Sequence, residues 1–263
     1  SWMRSRQPPL RSTFASKTEP GTILLGWKGG TMPIQTTLSG AVQLRTPVSP
    51  VDVDMVLDAM LPPYLEEARR VGRAETQQEA VRRIGFAILS VHSDFDATVR
   101  CYNAVQQEDW SDRFGLTKSI ARHPLVRYPR QKAQALCRLW TMAFLDGEDL
   151  RPFGDDLEYR ERLRKTVWGL AWAKASFAVM LVKGQADVCC IDTHMHRLLT
   201  GQVARQQIGK RLYLELEQRV RLVATRREVP VSVVQHCLWD AMRGAQTSLL
   251  PDTGEAKWTR FIM

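Results

Sequence analysis

Residues 168–200 contain a turn, a lysine and an aspartate in an arrangement that suits chemistry on an anionic polymer. Gly169, Leu170 and Ala171 place a flexible, an apolar and a small residue directly before an apolar stretch that predicts a helix over 173–183. Such a turn brings backbone N–H groups and a helix N-terminus close to a phosphate, with no side chain in the way. A contact of this kind positions a nucleic acid without reading its bases.

Lys174 and Asp192 are the candidate reactive groups of this stretch. Lys174 lies in the first turn of the predicted helix, where positive potential and partial burial favour a nucleophilic amine. Asp192 follows the apolar run 188–191, and a carboxylate that emerges from buried chain is able to stabilise a developing cation or orient a water. Simpler interpretations stay open: Lys174 as a phosphate contact or a solvated residue, and Asp192 as the N-cap of a helix that begins at Thr193.

The composition restricts the class of protein. With 263 residues, the chain is long enough for one large domain with a buried core. Its net charge of +9 favours polyanionic partners, so nucleic acid is the first partner to consider. The sequence lacks the apolar run that a membrane helix needs. The five cysteines form no CxxC pair, which argues against a zinc ribbon or a disulfide framework and favours a reducing compartment.

The elements that must position these residues are helical from residue 49 onward. Ser49-Pro50 resembles a helix start, and apolar residues between Ala80 and Val91 recur at helical spacing. Because strands do not alternate with helices after residue 50, we predict an all-α domain over 49–263 rather than a doubly wound sheet. Further helices are predicted over 94–106, 130–145, 157–167, 207–225 and 230–243, with a tail from Thr253.

The first 48 residues differ from this domain, and we treat them as a basic N-terminal extension. Residues 1–31 carry five basic residues against the single acid Glu19, and they are rich in proline and glycine. Three interpretations stay open: a DNA-facing arm, an organelle-targeting segment, or translated upstream sequence with the natural start at Met32. Residues 33–48 predict a short hairpin or an extended strap.

Three motifs resemble the helix-hairpin-helix (HhH-GPD) DNA glycosylases, in the order in which that superfamily carries them. The first is Ile88-Leu89-Ser90-Val91-His92-Ser93, which is similar to the segment that wedges into the duplex. The second is the helix start Arg127-Tyr128-Pro129-Arg130-Gln131-Lys132-Ala133. The third combines the hairpin, Lys174 and the tetrad Ile191-Asp192-Thr193-His194. Together they cover about residues 83–200.

Two departures from the superfamily pattern leave the mechanism open. Ala171 stands where the second hairpin glycine is usual, and two residues, Trp172 and Ala173, separate the hairpin from Lys174 where one is usual. An ungapped alignment places Ala173 in the lysine position, and one residue rotates a helical side chain by about 100°. Either Lys174 attacks the sugar C1′ and cleaves the strand, or Asp192 acts with a water and leaves an abasic site.

The resemblance implies a two-lobed all-α fold with an active site in the cleft between the lobes. It implies a DNA glycosylase that flips a damaged or modified base out of double-stranded DNA and excises it, with Asp192 and Lys174 as catalytic residues. A bulky modified base of phage DNA is one predicted substrate. The residues implied to contact DNA are Gly169, Leu170, Ala171, Trp172, Ala173, His92, Lys132 and His194.

The resemblance also bears on cofactors, partners and location. Only Cys237 follows Asp192, so the iron–sulfur cluster of one branch cannot form; the remaining expectation is a monovalent cation at the hairpin. We expect a monomer that contacts no membrane and lies in the cytoplasm or nucleoid. Two rivals remain: a non-catalytic helix-hairpin-helix protein that only grips phosphates, and an all-α interaction domain whose charge is incidental.

Overall fold

The computed structural model describes residues 53–202 and 208–243, and every regular element in these ranges is an α-helix. The prediction of an all-α fold is therefore confirmed, while the predictions for residues 1–48 and for the tail from Thr253 lie outside the described residues. The helices are α1 (Val53–Val71), α2 (Gln77–Leu89), α3 (Phe95–Val105), α4 (Arg113–Ala121), α5 (Pro129–Phe144), α6 (Asp156–Thr166), α7 (Trp172–Lys183), α8 (Thr193–Thr200), α9 (Lys210–Arg227) and α10 (Val231–Arg243).

The helices pack in two groups, one of which is discontinuous in sequence. In the first group, α2 packs against α3, α5 and α7, while α4 packs against α3 and α5, and α6 packs against α7. In the second group, α10 packs against α1, α8 and α9. Helix α1 thus belongs to the same group as α8, α9 and α10, although it comes first in the chain. The segment between α7 and α8 connects the two groups.

Helix α2 lies at the centre of the first group, which explains why it is buried nearly all round. The Phe86 ring meets the rings of Tyr102 and Phe95 edge-to-face, at centroid distances of 5.4 and 6.1 Å. Trp110 packs directly on the backbone of Gly85, where an added Cβ would lie 2.3 Å from the indole ring. Glycine is unfavourable inside a helix, but at this position it permits the close approach of Trp110. A capping box between Thr76 and Glu79 begins the helix.

Helix α1 runs further than the sequence pattern indicates, since it continues through Pro62 and Pro63 to Val71. Leu57, Tyr64 and Val71 form one buried stripe along it, at the spacing of two helical turns. The Tyr64 hydroxyl donates a hydrogen bond to the Asp240 carboxylate of α10. Packing of this stripe against α10 therefore stabilises a helix that its proline content alone would disfavour.

Candidate functional site

A cleft of about 1240 Å³ brings together most of the residues that the sequence singles out. Its walls come from the loop between α2 and α3, the hairpin before α7, the first turns of α7 and α8, and α10. The sequence-predicted residues that line it are His92, Gly169, Ala171, Trp172, Ala173, Lys174, Asp192 and His194. Leu170 and Lys132 do not line this cleft.

Asp192 is held in one orientation by three N–H donors. It is the N-cap of α8, and its Oδ1 accepts hydrogen bonds from the backbone N–H groups of His194 and Met195, each at 2.9 Å. Its Oδ2 accepts a hydrogen bond from the indole Nε1 of Trp239 at 2.8 Å. The capping role that sequence alone leaves open is thus present, together with a place in the cleft wall.

A buried polar network fixes the segment that leads to Asp192. The Tyr213 hydroxyl donates to the carbonyl of Cys189 at 2.5 Å, and Glu217 accepts from the Cys189 N–H at 2.8 Å. Glu217 also pairs with Arg160 at 2.6 Å, and both side chains are at most 4% exposed. Burial raises the pKa of the Tyr213 phenol well above its usual value, so this group stays a neutral hydrogen-bonding group.

The hairpin has the backbone that a phosphate contact requires. Gly169 adopts φ +93°, a conformation that favours glycine, and the Leu170 side chain is buried at 5% exposure. Ala171 is the N-cap of α7 and offers no side-chain hydrogen bond. The first N–H groups of α7 are therefore not capped by Ala171, and the helix dipole favours an anion at that position.

Two tryptophans flank the hairpin, and each stacks with cations. The Arg138 guanidinium lies 5.0 Å from the Trp168 ring, while Arg164 and Lys210 lie 5.0 and 5.3 Å from the Trp172 ring. Stacking of this kind keeps the charges near the aromatic faces. The surroundings of the hairpin are thus electropositive, which suits a polyanionic ligand.

Lys174 is the third residue of α7, in its first turn, and is half-buried. Its ammonium is 5.2 Å from the centroid of the Phe177 ring, and both side chains line the cleft. Ala173, which the ungapped alignment places in the lysine position, lines the same cleft without a reactive group. Among the described residues that line the cleft, Lys174 therefore supplies the only lysine amine.

The neighbouring cysteines are unsuited to nucleophilic chemistry. Burial raises the pKa of the Cys190 thiol to about 12, even though the positive charge of Lys174 acts in the opposite direction. Burial also raises the pKa of the Cys189 thiol well above its usual value. Since the thiolate is the nucleophilic form, both residues act as packing groups near neutral pH.

His92 and Tyr128 form an exposed pair of rings at the rim of the cleft. Both residues have positive φ angles, +50° and +60°, which side chains rarely adopt. Their rings meet nearly perpendicularly with centroids 6.1 Å apart, and Tyr128 is 52% exposed. The pair gives the predicted wedge residue His92 a fixed neighbour.

The prediction that Lys132 contacts DNA is wrong, because this side chain is only 4% exposed. Its ammonium donates to the carbonyl of Leu89 at 2.5 Å and to the hydroxyl of Ser93. Burial lowers its pKa to about 8, with a smaller lowering by the charge of Lys174. Lys132 instead supports the loop that carries His92.

Sequence reasoning missed Gln235 and Trp239, which it placed in the helix predicted over 230–243 without a role in the site. Both residues line the cleft from α10, and Gln235 is only 4% exposed. The side-chain Oε1 of Gln235 has no hydrogen-bond partner among the described residues. A buried acceptor without a partner costs free energy, so it is a candidate for a ligand contact. Because both residues have apolar neighbours in the sequence, the sequence pattern indicates a buried helix and gives no sign that they line a cleft.

The cleft is also lined by arginines and histidines. Arg127 and Arg197 line it as well, and the sequence analysis names neither of them as a site residue. Within residues 53–202 and 208–243, no three His, Cys, Asp or Glu side chains are grouped so that they could hold a metal ion. No described helix is long and apolar enough to cross a membrane.

Comparisons with known proteins agree with this geometry. The family described as 8-oxoguanine DNA glycosylase matches residues 63–229. The 8-oxoguanine DNA glycosylase of Thermotoga maritima is similar in structure, with a TM-score of 0.60 and 20% identity over 73% of this chain and 94% of the other. No curated protein matches at a significant level.

A second similar structure contains DNA. It is the 8-oxoguanine glycosylase/lyase of Methanocaldococcus jannaschii in complex with a 15mer DNA containing 8-oxoguanine. Its TM-score is 0.56, with 18% identity over 73% of this chain and 92% of the other. At these identities the structural likeness shows the fold, while the family match carries the relationship.

Proposed function

This chain belongs to the 8-oxoguanine DNA glycosylase family, and from that premise we propose that it excises 8-oxoguanine from double-stranded DNA. The observation that carries the proposal is a single cleft that contains Asp192, Lys174 and the start of α7. The carboxylate and the amine supply the chemistry of base excision, and the start of α7 supplies a phosphate site.

The duplex lies across the hairpin with a phosphate at the N-terminus of α7. Arg127 and Arg197 line the same cleft and neutralise neighbouring phosphates. These contacts are independent of base sequence, and they use part of the positive charge of the chain. His92 and its neighbour Tyr128 fill the space in the stack from which the base is extruded.

The extruded base enters the cleft beside α10. The buried Oε1 of Gln235 is an acceptor without a partner, and the edge of a guanine base offers N–H donors at N1 and N2. The indole of Trp239, half-buried in the cleft wall, offers an apolar face for the ring. A purine with a donor edge therefore supplies the hydrogen bond that the Gln235 Oε1 lacks among the described residues.

Asp192 stabilises the positive charge that develops on the sugar as the glycosidic bond breaks. The bonding electrons leave with the base, which takes up a proton. In one route a water oxygen then bonds to C1′, releases its proton and leaves an abasic site. In the other, the Lys174 amine bonds to C1′, the sugar ring opens to a Schiff base, and elimination of the 3′ phosphate cleaves the strand.

The deciding experiment is a single-turnover assay on duplexes that contain 8-oxoguanine. We expect base release by the wild-type chain and a loss of about 100-fold or more in Asp192→Asn, whose DNA affinity should stay within a few-fold of wild type. Equal rates for both proteins would overturn the role of Asp192. Binding of DNA with no base released would instead support the non-catalytic rival.

The same assay separates the two routes. Strand cleavage without alkali, together with a borohydride-trapped adduct that Lys174→Met loses, is expected if the amine attacks. Cleavage only after alkali, with no adduct, is expected if water attacks. Lys165→Met, an exposed lysine of α6, is the matched control and should behave as wild type in both measurements.

The alternative substrate, the cation at the hairpin and the monomeric state stay predictions. A bulky modified base of phage DNA belongs in the substrate panel, and its release without release of 8-oxoguanine would move the assignment to that class. Rates in potassium and in a bulky organic cation test the predicted monovalent cation at the hairpin. Sedimentation with and without duplex tests the predicted monomer.

A further inference from the structure

We propose that Trp239 is a positioning residue, whose indole N–H holds the Asp192 carboxylate in its reactive orientation. The inference deepens the proposed function, because it concerns the same carboxylate. It rests on the 2.8 Å hydrogen bond from Nε1 of Trp239 to Oδ2 of Asp192 and on the rigid setting of the indole.

The N-cap alone does not fix the carboxylate completely. The backbone N–H groups of His194 and Met195 both donate to Oδ1. Because neither contacts Oδ2, the plane of the Asp192 carboxylate is still able to rotate about Oδ1. The indole N–H is the donor that reaches Oδ2. With Oδ2 restrained, one lone pair of this oxygen still faces away from the indole and remains for the sugar or a water.

The indole itself has little freedom to move. Its ring meets Phe95 of α3 edge-to-face with centroids 5.2 Å apart, and it meets His194 of α8 nearly perpendicularly at 6.1 Å. Trp239 therefore contacts both groups of helices and the cap of α8 at once. Its N–H is preorganised toward Asp192, so little entropy is lost when the hydrogen bond forms.

Trp239 also lines the cleft, so one side chain both contacts the extruded base and orients the carboxylate. A base that packs against the indole limits the motion of its N–H. Entry of the base and orientation of Asp192 are therefore coupled through Trp239. A phenylalanine at this position would retain the aromatic packing and lose the donor.

The test is Trp239→Phe in single-turnover base release at saturating enzyme. We expect the saturated rate to fall about 10- to 100-fold, the range for loss of a hydrogen bond to a charged group. The enzyme concentration that gives half the maximal rate should change by less than about threefold, because the ring is retained. Trp140→Phe on α5 removes an indole N–H outside the cleft and should leave the rate unchanged.

A spectroscopic measurement tests the hydrogen bond without catalysis. In a ¹H–¹⁵N spectrum, the indole signal that disappears in Trp239→Phe should move in Asp192→Asn, while the indole signals distant from the cleft stay in place. A signal that does not move would overturn the hydrogen bond. An unchanged saturated rate in Trp239→Phe, or a change confined to the half-maximal concentration, would overturn the positioning role.

These readouts also distinguish the two proposals. If the wild-type chain releases no base, the proposed function fails while the indole signal still reports on the hydrogen bond. If the wild-type chain is active and Trp239→Phe equals it, the proposed function stands and the positioning role fails. Matching melting temperatures of the variant and the wild type confirm that the rates compare folded proteins.

Discussion

At the scale of single residues, the buried ammonium of Lys132 makes stability depend on pH. Its native pKa of about 8 lies below the usual 10.5 because burial disfavours the charge. The unfolded chain therefore binds more protons between these values, so this group's contribution to stability increases as pH rises above 8. Below pH 8 the ammonium is charged in both states and its contribution is constant.

The corresponding prediction compares Lys132→Met with the wild type by urea unfolding at pH 7, 8 and 9. The wild type should gain stability relative to the variant between pH 8 and pH 9, because only the wild type has this group. All other residues are the same in both proteins, so the difference isolates the ammonium. A difference that is flat with pH would show that Lys132 keeps an ordinary proton affinity.

At the scale of elements, the buried pair Arg160–Glu217 joins α6 to α9 and holds the segment before α8. Removing one charge from such a pair leaves the other buried without compensation, which typically costs about 3–5 kcal/mol. We expect Glu217→Gln to lower the free energy of unfolding by an amount in this range. Glu215→Gln, in the exposed pair with Arg219, should change it by less than about 1 kcal/mol. Urea denaturation of the three proteins gives both values, and equal losses would contradict the role of burial.

The hairpin gives a second prediction at this scale, with a matched control in the same chain. Gly169 and Gly147 both have positive φ angles, +93° and +72°, and both have space for a methyl group. Alanine should therefore strain the backbone by about 1–2 kcal/mol at either position. Only Gly169→Ala alters the hairpin, so we expect it alone to weaken DNA binding, by about tenfold. Titration of a labelled duplex measures this, and equal affinities for the two variants would place the phosphate elsewhere.

The sequence predicts helices well where apolar residues recur at helical spacing. It predicts them less well where contacts between distant parts of the chain determine whether a helix forms. Helix α5 is predicted over 130–145 and observed over Pro129–Phe144, because a strong apolar stripe defines it. Helix α4 was missed, since only Leu116, Ser119 and Ile120 of its residues are buried and its pattern is weak. Its N-cap, Asp112, is a local signal that was available.

The residues of the candidate site also differ in how well the sequence predicts them. Asp192 and the hairpin could be predicted because their residues are close together in the chain and form a motif. Gln235 and Trp239 could not, because they reach the cleft only when α10 packs against α8 and α1. The burial of Lys132 was not predicted, because a lysine near the start of a helix is usually exposed. Its burial depends on contacts that exist only in the folded chain.

At the scale of the whole molecule, the net charge of +9 favours a polyanionic partner such as DNA. Binding that neutralises phosphates releases counterions, so the logarithm of affinity falls linearly with the logarithm of salt concentration. Each phosphate contact contributes about 0.9 to this slope for B-DNA. Arg127 and Arg197 both line the cleft, and the sequence analysis names neither as a DNA contact.

The slope therefore tests which cations touch DNA, independently of catalysis. We expect Arg127→Gln and Arg197→Gln each to reduce it by roughly one, and the double variant by roughly two, on duplexes with or without a modified base. Arg69→Gln, on the exposed side of α1, removes the same charge far along the chain from the cleft and should leave the slope unchanged. If Arg69→Gln lowers the slope as much as the cleft variants do, binding follows net charge rather than a defined face. If only the cleft variants lower it, the duplex lies across the cleft that contains Asp192, and base release and DNA binding belong to one site.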